Sequence, residues 1–278
     1  MSTPEDDAPL PAGENETLTT LLSLSRLNRF LKLGASEAEA VSLHQASLRI
    51  GCQLLIPVAT IEISLRNAVH DNMSTYFGVE NWLSQTPIKL EWKDVERKRI
   101  QKAMDDARRA EYAKLSQRQK ADLELRAYPR GRPAGTSHQK RAKDRRQQIS
   151  VPEGKVVAEL TMFFWKRLFG PEYDQRLWQT TLKRVFPTKT VSRAEVAKNL
   201  EVIYQARNRL AHHEPVHDSR FNHTCAAVRF VAQNLLWDTT RGASDLFTLI
   251  EPDLVIAERM EAEFAAALSG LPGVKPNP

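Results

Sequence analysis

The chain has 278 residues, of which 41% are apolar, and a formal net charge of +6. This length and composition predict a folded protein with a sizeable core and exclude a disordered chain. Two cysteines, Cys52 and Cys225, argue against a disulfide scaffold and fit a reducing cytosol. Residues 1–16 are acidic and lack the apolar core of a signal peptide, so we expect a disordered tail on a cytoplasmic protein. The most apolar run, CQLLIPVATIEISL, is too short to cross a bilayer, so no membrane partner is expected.

The positive charge is concentrated in one segment. Residues 126–149 hold eight basic residues against the single acid Asp144, so the rest of the chain is close to neutral. A local basic block indicates a polyanionic partner such as RNA, but a solvated, disordered loop explains the pattern equally well. The candidate RNA-binding residues of this block are Arg130, Arg132, Lys140, Arg141, Lys143, Arg145 and Arg146.

The first half of the chain has helical periodicity. Leucines recur at helical spacing over residues 17–33, and the pattern Ser-Glu-Ala-Glu from Ser36 predicts a capped helix running toward Gly78. Gly51 to Pro57 predicts a kink or break in that helix. Residues 91–125 predict one long, highly charged helix, and the Pro/Gly-rich, basic residues 127–148 predict a loop.

The second half also has no alternating strand pattern. Predicted helices cover residues 151–170 and residues 171–187, the latter with Pro171 at its start. A third helix begins at the capping box of Ser192 and is ended by Pro215. Two more cover about 219–240 and 251–268. The fold class is therefore all-α: a multi-helix bundle with a long charged helix and a basic loop inserted mid-chain.

Domain organisation follows from these elements. We predict a single helical domain over residues 17–270, followed by a flexible tail over 271–278. The domain contains an N-terminal helical block (17–90), the charged helix with the basic linker (91–150), and a C-terminal helical block (151–270).

The segment ARNRLAHHEPV, residues 206–216, holds the main candidate site. The apolar stripe of its helix is Val196, Leu200, Ile203 and Leu210. At about 100° per residue, Arg207 lies within about 40° of Ile203 and therefore faces inward, whereas His212 lies about 140° from Arg207. The two side chains meet only if the helix unwinds before Pro215 or if a second copy of the chain supplies the complementary group.

An arginine and a histidine without carboxylates suit RNA phosphodiester chemistry. Histidine exchanges protons near neutral pH, and arginine binds phosphate through two donors. Two other interpretations stay open. One is an ordinary helix end with Arg207 paired to Glu62, and the other is a metal site built from His212, His213, Glu214, His217 and Asp218.

A similar pattern occurs earlier, in IEISLRNAVHDN, residues 61–72. Arg66 and His70 are four residues apart and share a helix face, with Glu62 one turn before Arg66. A Glu62–Arg66 ion pair is the favoured interpretation, ahead of a second active site. A third interpretation is a buried polar network of Glu62, Arg66 and Asn67 that braces the later motif.

Taken together, these segments resemble the Abi-like (abortive infection) family of bacterial proteins in the HEPN superfamily. The resemblance covers LSRLNRFLKLG, IEISLRNAVHDNMSTYFGVENWL, GKVVAELTMFFWKRLFGPEYDQRLWQTTLKRVFP and IYQARNRLAHHEPV, and it is weakest over residues 126–148. Their combination is specific, whereas the short Arg-Asn…His motif alone is not.

The resemblance implies a HEPN-type helical bundle and a metal-independent endoribonuclease without a cofactor. It maps the catalytic groups onto Arg207, Asn208 and His212, with His213 as a possible support, and implies a homodimer that completes the site. It also implies a role in phage defence, or as a toxin held by a protein or RNA antitoxin. A non-catalytic RNA-binding or regulatory protein is the alternative, and a metal-dependent phosphoesterase using His212, His213 and His217 is a third hypothesis.

Overall fold

The computed structural model describes residues 18–87 and 90–274. Within these ranges the chain forms helices and turns, and no β-strand occurs, so the all-α prediction is confirmed. The predicted N-terminal tail and the last four residues of the predicted C-terminal tail lie outside the described residues.

The helices are labelled α1 to α10 from residue 24 onward. They are α1 Leu24–Leu31, α2 Glu37–Phe77, α3 Asp94–Lys114, α4 Gln117–Ala127, α5 His138–Gln147, α6 Glu153–Glu159, α7 Met162–Arg167, α8 Arg193–Ala211, α9 Asp218–Asn234 and α10 Asp245–Ser269. Residues 18–22 are also helical, and Ser23, at a φ of 66°, separates them from α1.

The chain divides into two compact units. Of the described residues, unit 1 contains 18–61, 205–232 and 243–274, and unit 2 contains 62–87, 90–204 and 233–242. The chain passes from one unit to the other within α2, within α8, within α9 and after Gly242. The expectation of a single domain over 17–270 stays a prediction.

Unit 1 is a helical cluster with a core of fully buried Leu27, Leu54, Val58 and Leu254. Arg229 on α9 links this cluster to α10, since its guanidinium donates to Glu251 at 2.8 and 2.9 Å and to Glu258 at 2.6 and 2.9 Å. These charge-assisted forks set the register between the two helices.

Unit 2 is built around aromatic side chains. The Trp92 ring lies 5.9 Å from Trp82, 5.7 Å from Phe164 and 6.2 Å from Tyr173, centroid to centroid. Glu96 is buried among them, accepts a hydrogen bond of 2.8 Å from the Tyr173 hydroxyl and pairs with Arg167. A buried carboxylate of this kind needs such partners, because an unpaired charge inside a protein is costly.

Helix α2 runs for 41 residues without the predicted break, although Pro57 lies inside it. Proline removes one intrahelical hydrogen bond and costs about 3 kcal/mol. Leu54, Val58 and Ile61 are fully buried on either side of it, and this burial outweighs the cost. Among the described residues, α2 alone is long and apolar enough to cross a membrane, a test that the core helix of a soluble protein also passes.

The predicted long helix over 91–125 is two helices, α3 and α4. The first ends at Lys114, and Ser116 caps the second. The Ser116 backbone N–H donates to Gln119 Oε1 at 2.9 Å, and its Oγ accepts from the Gln119 N–H at 3.3 Å. The sequence contains this capping box as Ser-x-x-Gln, but it was not predicted, because charged residues continue on both sides of Ser116 and suggest one helix.

The predicted loop over 127–148 is wrong from residue 138, because α5 occupies residues His138–Gln147. Ser137 Oγ caps this helix by accepting from the Lys140 N–H at 3.2 Å. None of its residues is buried, so apolar packing does not hold it. Its contacts are polar: Arg141 and Arg145 pair with Glu124, and the Tyr128 hydroxyl donates to Asp144 at 2.6 Å.

Further along the chain, several predicted boundaries move. The two helices predicted over 151–187 are α6, α7 and a series of 3-10 and π turns between Pro171 and Val185. The indole N–H of Trp165 donates to the Leu160 carbonyl at 3.2 Å, which gives this carbonyl a hydrogen-bond partner at the break between α6 and α7. Helix α10 begins at Asp245, before Pro252, because Ser244 Oγ caps it by accepting from the Phe247 N–H at 3.0 Å.

The first residues of the predicted flexible tail are anchored in unit 1. Leu271 is buried, and the Gly273 N–H donates to the Leu33 carbonyl at 2.9 Å. A Cβ at position 273 would lie 2.8 Å from that same carbonyl oxygen, so only glycine allows this approach.

Candidate active site

Helix α8 carries the Arg-Asn…His motif on a buried stripe. Val196, Leu200, Ile203 and Leu210 are buried as predicted, and Ala206 joins them. Arg207 and Asn208 are half-buried beside this stripe. Arg207 was predicted to face inward, and it is only partly buried.

The end of α8 explains the two histidines. The helix ends at Ala211, so His212 and His213 follow it, and Pro215 comes four residues after the last helical residue. The His213 N–H donates to the Leu210 carbonyl at 3.0 Å and the Glu214 N–H to the Arg209 carbonyl at 2.8 Å. This paired pattern is a Schellman motif, which places His213 at the left-handed position usually taken by glycine, and its φ is 56°.

Arg209 holds the turn after α8 in place. Its guanidinium lies 3.1 Å from Glu214 Oε2 and donates to the Pro215 carbonyl at 3.2 Å. Because these contacts fix residues 212–215, the imidazoles of His212 and His213 project from an ordered turn rather than from a loose loop.

His212 and His213 line a cleft in unit 1 with a volume of about 280 Å³, called here the histidine cleft. Both histidines are exposed at this cleft. The other lining residues come from α1, from α2 and from the turn after α8; they are Ser25, Arg26, Arg29, His44, Ser47, Leu48, Glu214 and Pro215.

The histidine cleft is lined by two arginines, Arg26 and Arg29, and by one carboxylate, Glu214. Within the part of the chain that the structure describes, neither Arg26 nor Arg29 forms an ion pair. The Arg29 guanidinium instead lies 4.2 Å from the Phe30 ring centroid. Burial lowers its pKa, and the nearby charges of Asp218 and Glu261 partly offset this. The lining carboxylate, Glu214, is paired with Arg209. An anion is the ligand that such a cleft favours.

His44 is the buried imidazole of the cleft, with 7% of its surface exposed. Burial is the main cause that lowers its pKa, and the charges of Arg26 and Arg29 lower it further. Its ring makes no hydrogen bond to any residue in the described ranges. Buried imidazoles normally have a hydrogen-bond partner. Since the His44 ring has none among the described residues, it is available to bond to a ligand.

One of the three predicted catalytic residues lines the histidine cleft. His212 lines the histidine cleft, whereas Arg207 and Asn208 are absent from its lining. The His212 N–H still donates to the Asn208 carbonyl at 3.2 Å, so the backbone stays helical up to this residue. The angle of about 140° between the Arg207 and His212 side chains stays a prediction.

The earlier motif does not form the expected ion pair. Among the described residues, no salt bridge joins Glu62 to Arg66. Glu62 Oε1 instead accepts from the Met162 N–H at 3.1 Å at the start of α7, and Arg66 Nε is buried without a hydrogen bond. Asn67 is exposed, so the favoured ion pair and the three-residue network are both wrong. A long-range partner for Glu62 was not visible in a pattern read along one helix.

His70 and His217 have other partners. His70 Nδ1 accepts a hydrogen bond of 3.1 Å from the Trp82 indole N–H, so this nitrogen is engaged within the fold. His217 lies 2.7 Å from Glu261 and 2.9 Å from Ser47, so it does not join His212 and His213 as the metal hypothesis requires. No group of three potential metal ligands occurs within the described ranges.

The structure sorts the seven basic candidates of residues 126–149 into two groups. Arg132, Arg141 and Arg145 lie against Glu124, and Lys140 pairs with Asp144. Hydrogen bonds from Arg141 and then Arg145 lower the pKa of Glu124 to about 2. Arg130, Lys143 and Arg146 form no ion pair with any described residue and keep their charge available for a partner.

The sequence interpretation missed Arg26, Arg29, His44 and Ser47. Arg26 and Arg29 are three residues apart on α1, and His44 and Ser47 are three apart on α2, so each pair shares a helix face. That spacing was visible, but nothing local indicated that both faces meet the turn after α8. Comparison of the chain with protein-family models, curated proteins and solved structures finds no match.

Proposed function

We propose that the protein is a metal-independent endoribonuclease of HEPN type. The observation that carries the proposal is the placement of two imidazoles, His212 and His213, at a cleft that is lined by two arginines and whose one carboxylate is already paired. Imidazole transfers protons near neutral pH, and cations stabilise the charge that builds on a phosphate during attack by the ribose 2′-hydroxyl.

Within this proposal His212 transfers protons, Arg207 binds the phosphate and Asn208 orients one of the groups. On a regular helix Arg207 and His212 point about 140° apart, so we infer that one chain does not present both to one phosphate. A homodimer in which each chain supplies one of the two groups completes the site. Cleavage then yields a 2′,3′-cyclic phosphate and a 5′-hydroxyl.

From the resemblance we propose that this activity serves a cytoplasmic growth-arrest system. We infer a role in abortive infection during phage defence, or as a toxin controlled by a protein or RNA antitoxin. The substrate is RNA, and no cofactor takes part.

The first experiment incubates the purified full chain with total cellular RNA in the presence of EDTA. Cleavage persists in the wild type and falls by at least about 100-fold in Arg207→Ala and His212→Ala, since each removes a group that acts on the reacting phosphate. His223→Ala removes an exposed imidazole on α9 outside the cleft and serves as the matched control. Undiminished cleavage in both active-site variants would contradict the proposal.

The second experiment mixes the two inactive variants. A dimer of Arg207→Ala with His212→Ala contains one composite site with both native groups, so mixing restores part of the activity. If each variant stays inactive in the mixture, although mixed dimers are shown to form, the site is not shared between chains.

A second candidate function is supported by α5. Lys143 and Arg146 on this helix line a groove with Arg108 and Arg109 of α3, which pair with Asp105 and Asp106. The two cations without an ion pair among the described residues, Lys143 and Arg146, suit binding to a phosphate backbone without cleavage. A non-catalytic RNA-binding protein predicts salt-sensitive binding of RNA that stays intact over the full incubation.

A further inference from the structure

Unit 1 contains a hydrogen-bonded chain of a serine, a histidine and a glutamate. Ser47 Oγ lies 2.9 Å from His217 Nε2, and His217 Nδ1 lies 2.7 Å from Glu261 Oε2. The three residues come from α2, from the turn before α9 and from α10. None of them belongs to the Arg-Asn…His motif.

The partners of Glu261 determine the tautomer of His217. Its second carboxylate oxygen, Oε1, accepts the Asp218 N–H at 2.9 Å, so Glu261 accepts on both oxygens. A neutral His217 therefore carries its proton on Nδ1 and presents a lone pair from Nε2 to Ser47. The Phe264 ring stacks on His217 with centroids 4.4 Å apart and holds the imidazole plane.

Ser47 differs from other hydroxyl residues within helices. Thr60, Thr224 and Thr248 each donate to the backbone carbonyl four residues earlier, at 2.9, 2.8 and 3.0 Å. Such back-bonding is the usual role of a hydroxyl in a helix. Ser47 instead donates its proton to an imidazole that a carboxylate orients, which is the arrangement that activates a serine nucleophile.

Ser47 also lies in the wall of the histidine cleft. Ser47 is 8% exposed, and it lines the histidine cleft beside His44 and Arg29. The cleft holds Arg26 and Arg29 without ion pairs among the described residues, together with the unbonded ring of His44. These groups match the charge of a phosphate ester and can stabilise the oxygens of a phosphorus centre under attack.

We propose that Ser47 is an activated nucleophile toward phosphate esters, with His217 as its base and Glu261 as the residue that positions His217. Ser47 Oγ bonds to phosphorus, its proton passes to His217 Nε2, and the leaving alkoxide departs with that proton as an alcohol. Water, deprotonated by His217, then attacks the phosphoserine, releases the phosphate and returns the proton to Ser47. This second activity does not rest on the endoribonuclease proposed above and needs neither Arg207 nor His212.

The test treats the purified full chain with a fluorophosphonate and locates the adduct by peptide mass spectrometry. Ser47 displaces fluoride and gains the phosphonyl group, Ser47→Ala gains none, and His217→Gln reacts at least about 100-fold more slowly. Ser74→Ala is the matched control, because Ser74 is another α2 serine whose buried hydroxyl has no hydrogen bond. No adduct at Ser47, or an equal rate in His217→Gln, would overturn the proposal.

A second variant tests activation without dependence on the fluorophosphonate. In Ser47→Cys, iodoacetate should alkylate the new thiol at least about 10-fold faster than exposed Cys52, because His217 and the arginines of the cleft favour a thiolate. Cys225 stays unreacted, since burial raises its pKa to about 12. A new thiol that reacts no faster than Cys52, or equally fast after His217→Gln, would show that His217 does not activate position 47.

The substrate class is tested with bis(4-nitrophenyl) phosphate. The wild type should release nitrophenolate and, after acid quenching, carry a nitrophenyl phosphate group on the Ser47 peptide, whereas Ser47→Ala does neither. Reaction with the fluorophosphonate but not with this diester would overturn the assignment of a phosphate ester as substrate. RNA cleavage by the same Ser47→Ala preparation is measured in parallel. This measurement tests the endoribonuclease proposal separately from the Ser47 proposal.

Discussion

His213 is a histidine at a backbone position that favours glycine. Its φ of 56° closes the Schellman motif at the end of α8, and this conformation costs an ordinary L-residue about 1–2 kcal/mol. Histidine tolerates the left-handed region better than most residues, which fits its presence here. His213 thus closes the end of α8 through its backbone and also lines the histidine cleft.

Replacement of His213 tests that structural position. We expect His213→Gly to stabilise the fold by up to about 1 kcal/mol and His213→Val to destabilise it, because a β-branched residue fits the left-handed region poorly. Urea unfolding followed by circular dichroism measures both changes. A valine variant as stable as the glycine variant would contradict the assigned backbone conformation.

His44 should make stability depend on pH. Its pKa in the folded protein is below the ordinary value of 6.5, so the unfolded chain binds more protons between these two values. The stability that neutral His44 contributes is therefore present above about pH 6.5 and is lost as the pH falls through the lower, folded value. Thermal unfolding at pH 7 and pH 5 should show a larger loss in the wild type than in His44→Gln. Equal losses would mean that His44 is not held neutral in the fold.

At the scale of elements, α5 is a helix held by charge rather than by apolar packing. None of its residues is buried, and its contact with α4 depends on Glu124, which pairs with Arg141 and Arg145. Residues that the sequence presents as a uniform basic run therefore have two roles, one group fixing the helix and the other facing solvent.

Acid should release this contact. The pKa of Glu124 lies at about 2 in the folded protein against an ordinary value of 4.5. Its contribution to stability is present above about pH 4.5 and disappears as the pH falls toward 2, because protonation removes the charge that both arginines bind. Hydrogen exchange of the α5 amides should accelerate over this interval in the wild type. In Glu124→Gln these amides should exchange fast already at pH 5, and strong protection there would contradict the role of Glu124.

At the scale of the whole molecule, the net charge of +6 resides largely in the segment that contains α5. Each phosphate contact made by a cation releases counterions, so affinity for RNA falls with salt in proportion to the number of such contacts. The cations that count are those not already paired within the protein.

The double variant Lys143→Ala/Arg146→Ala should therefore weaken binding to single-stranded RNA at low salt. It should also reduce the slope of log affinity against log salt by about 0.7 per lost contact. Fluorescence anisotropy at three salt concentrations measures both effects. Lys32→Ala, which removes a cation at the end of α1, is the control for net charge. An unchanged slope in the double variant would mean that RNA does not contact α5.

The helical class, three capping boxes and the buried stripe of α8 were readable from the sequence. Ser36, Ser116 and Ser192 each bond to a residue three positions later, and the stripe repeats within one helix, so each signal is local. Two of these boxes were predicted, and the third was hidden because charged residues continue unchanged across Ser116.

Only the tertiary structure decided which groups share a site. The histidine cleft joins residues 25–48 to residues 212–215, and the chain Ser47–His217–Glu261 spans more than two hundred residues, so no spacing in the sequence indicates either. The same holds for Glu62, which bonds to the start of α7 rather than to its helical neighbour Arg66. The sequence determined the helices because their signals lie within one or two turns, whereas the site depended on side chains that only long-range packing brings together.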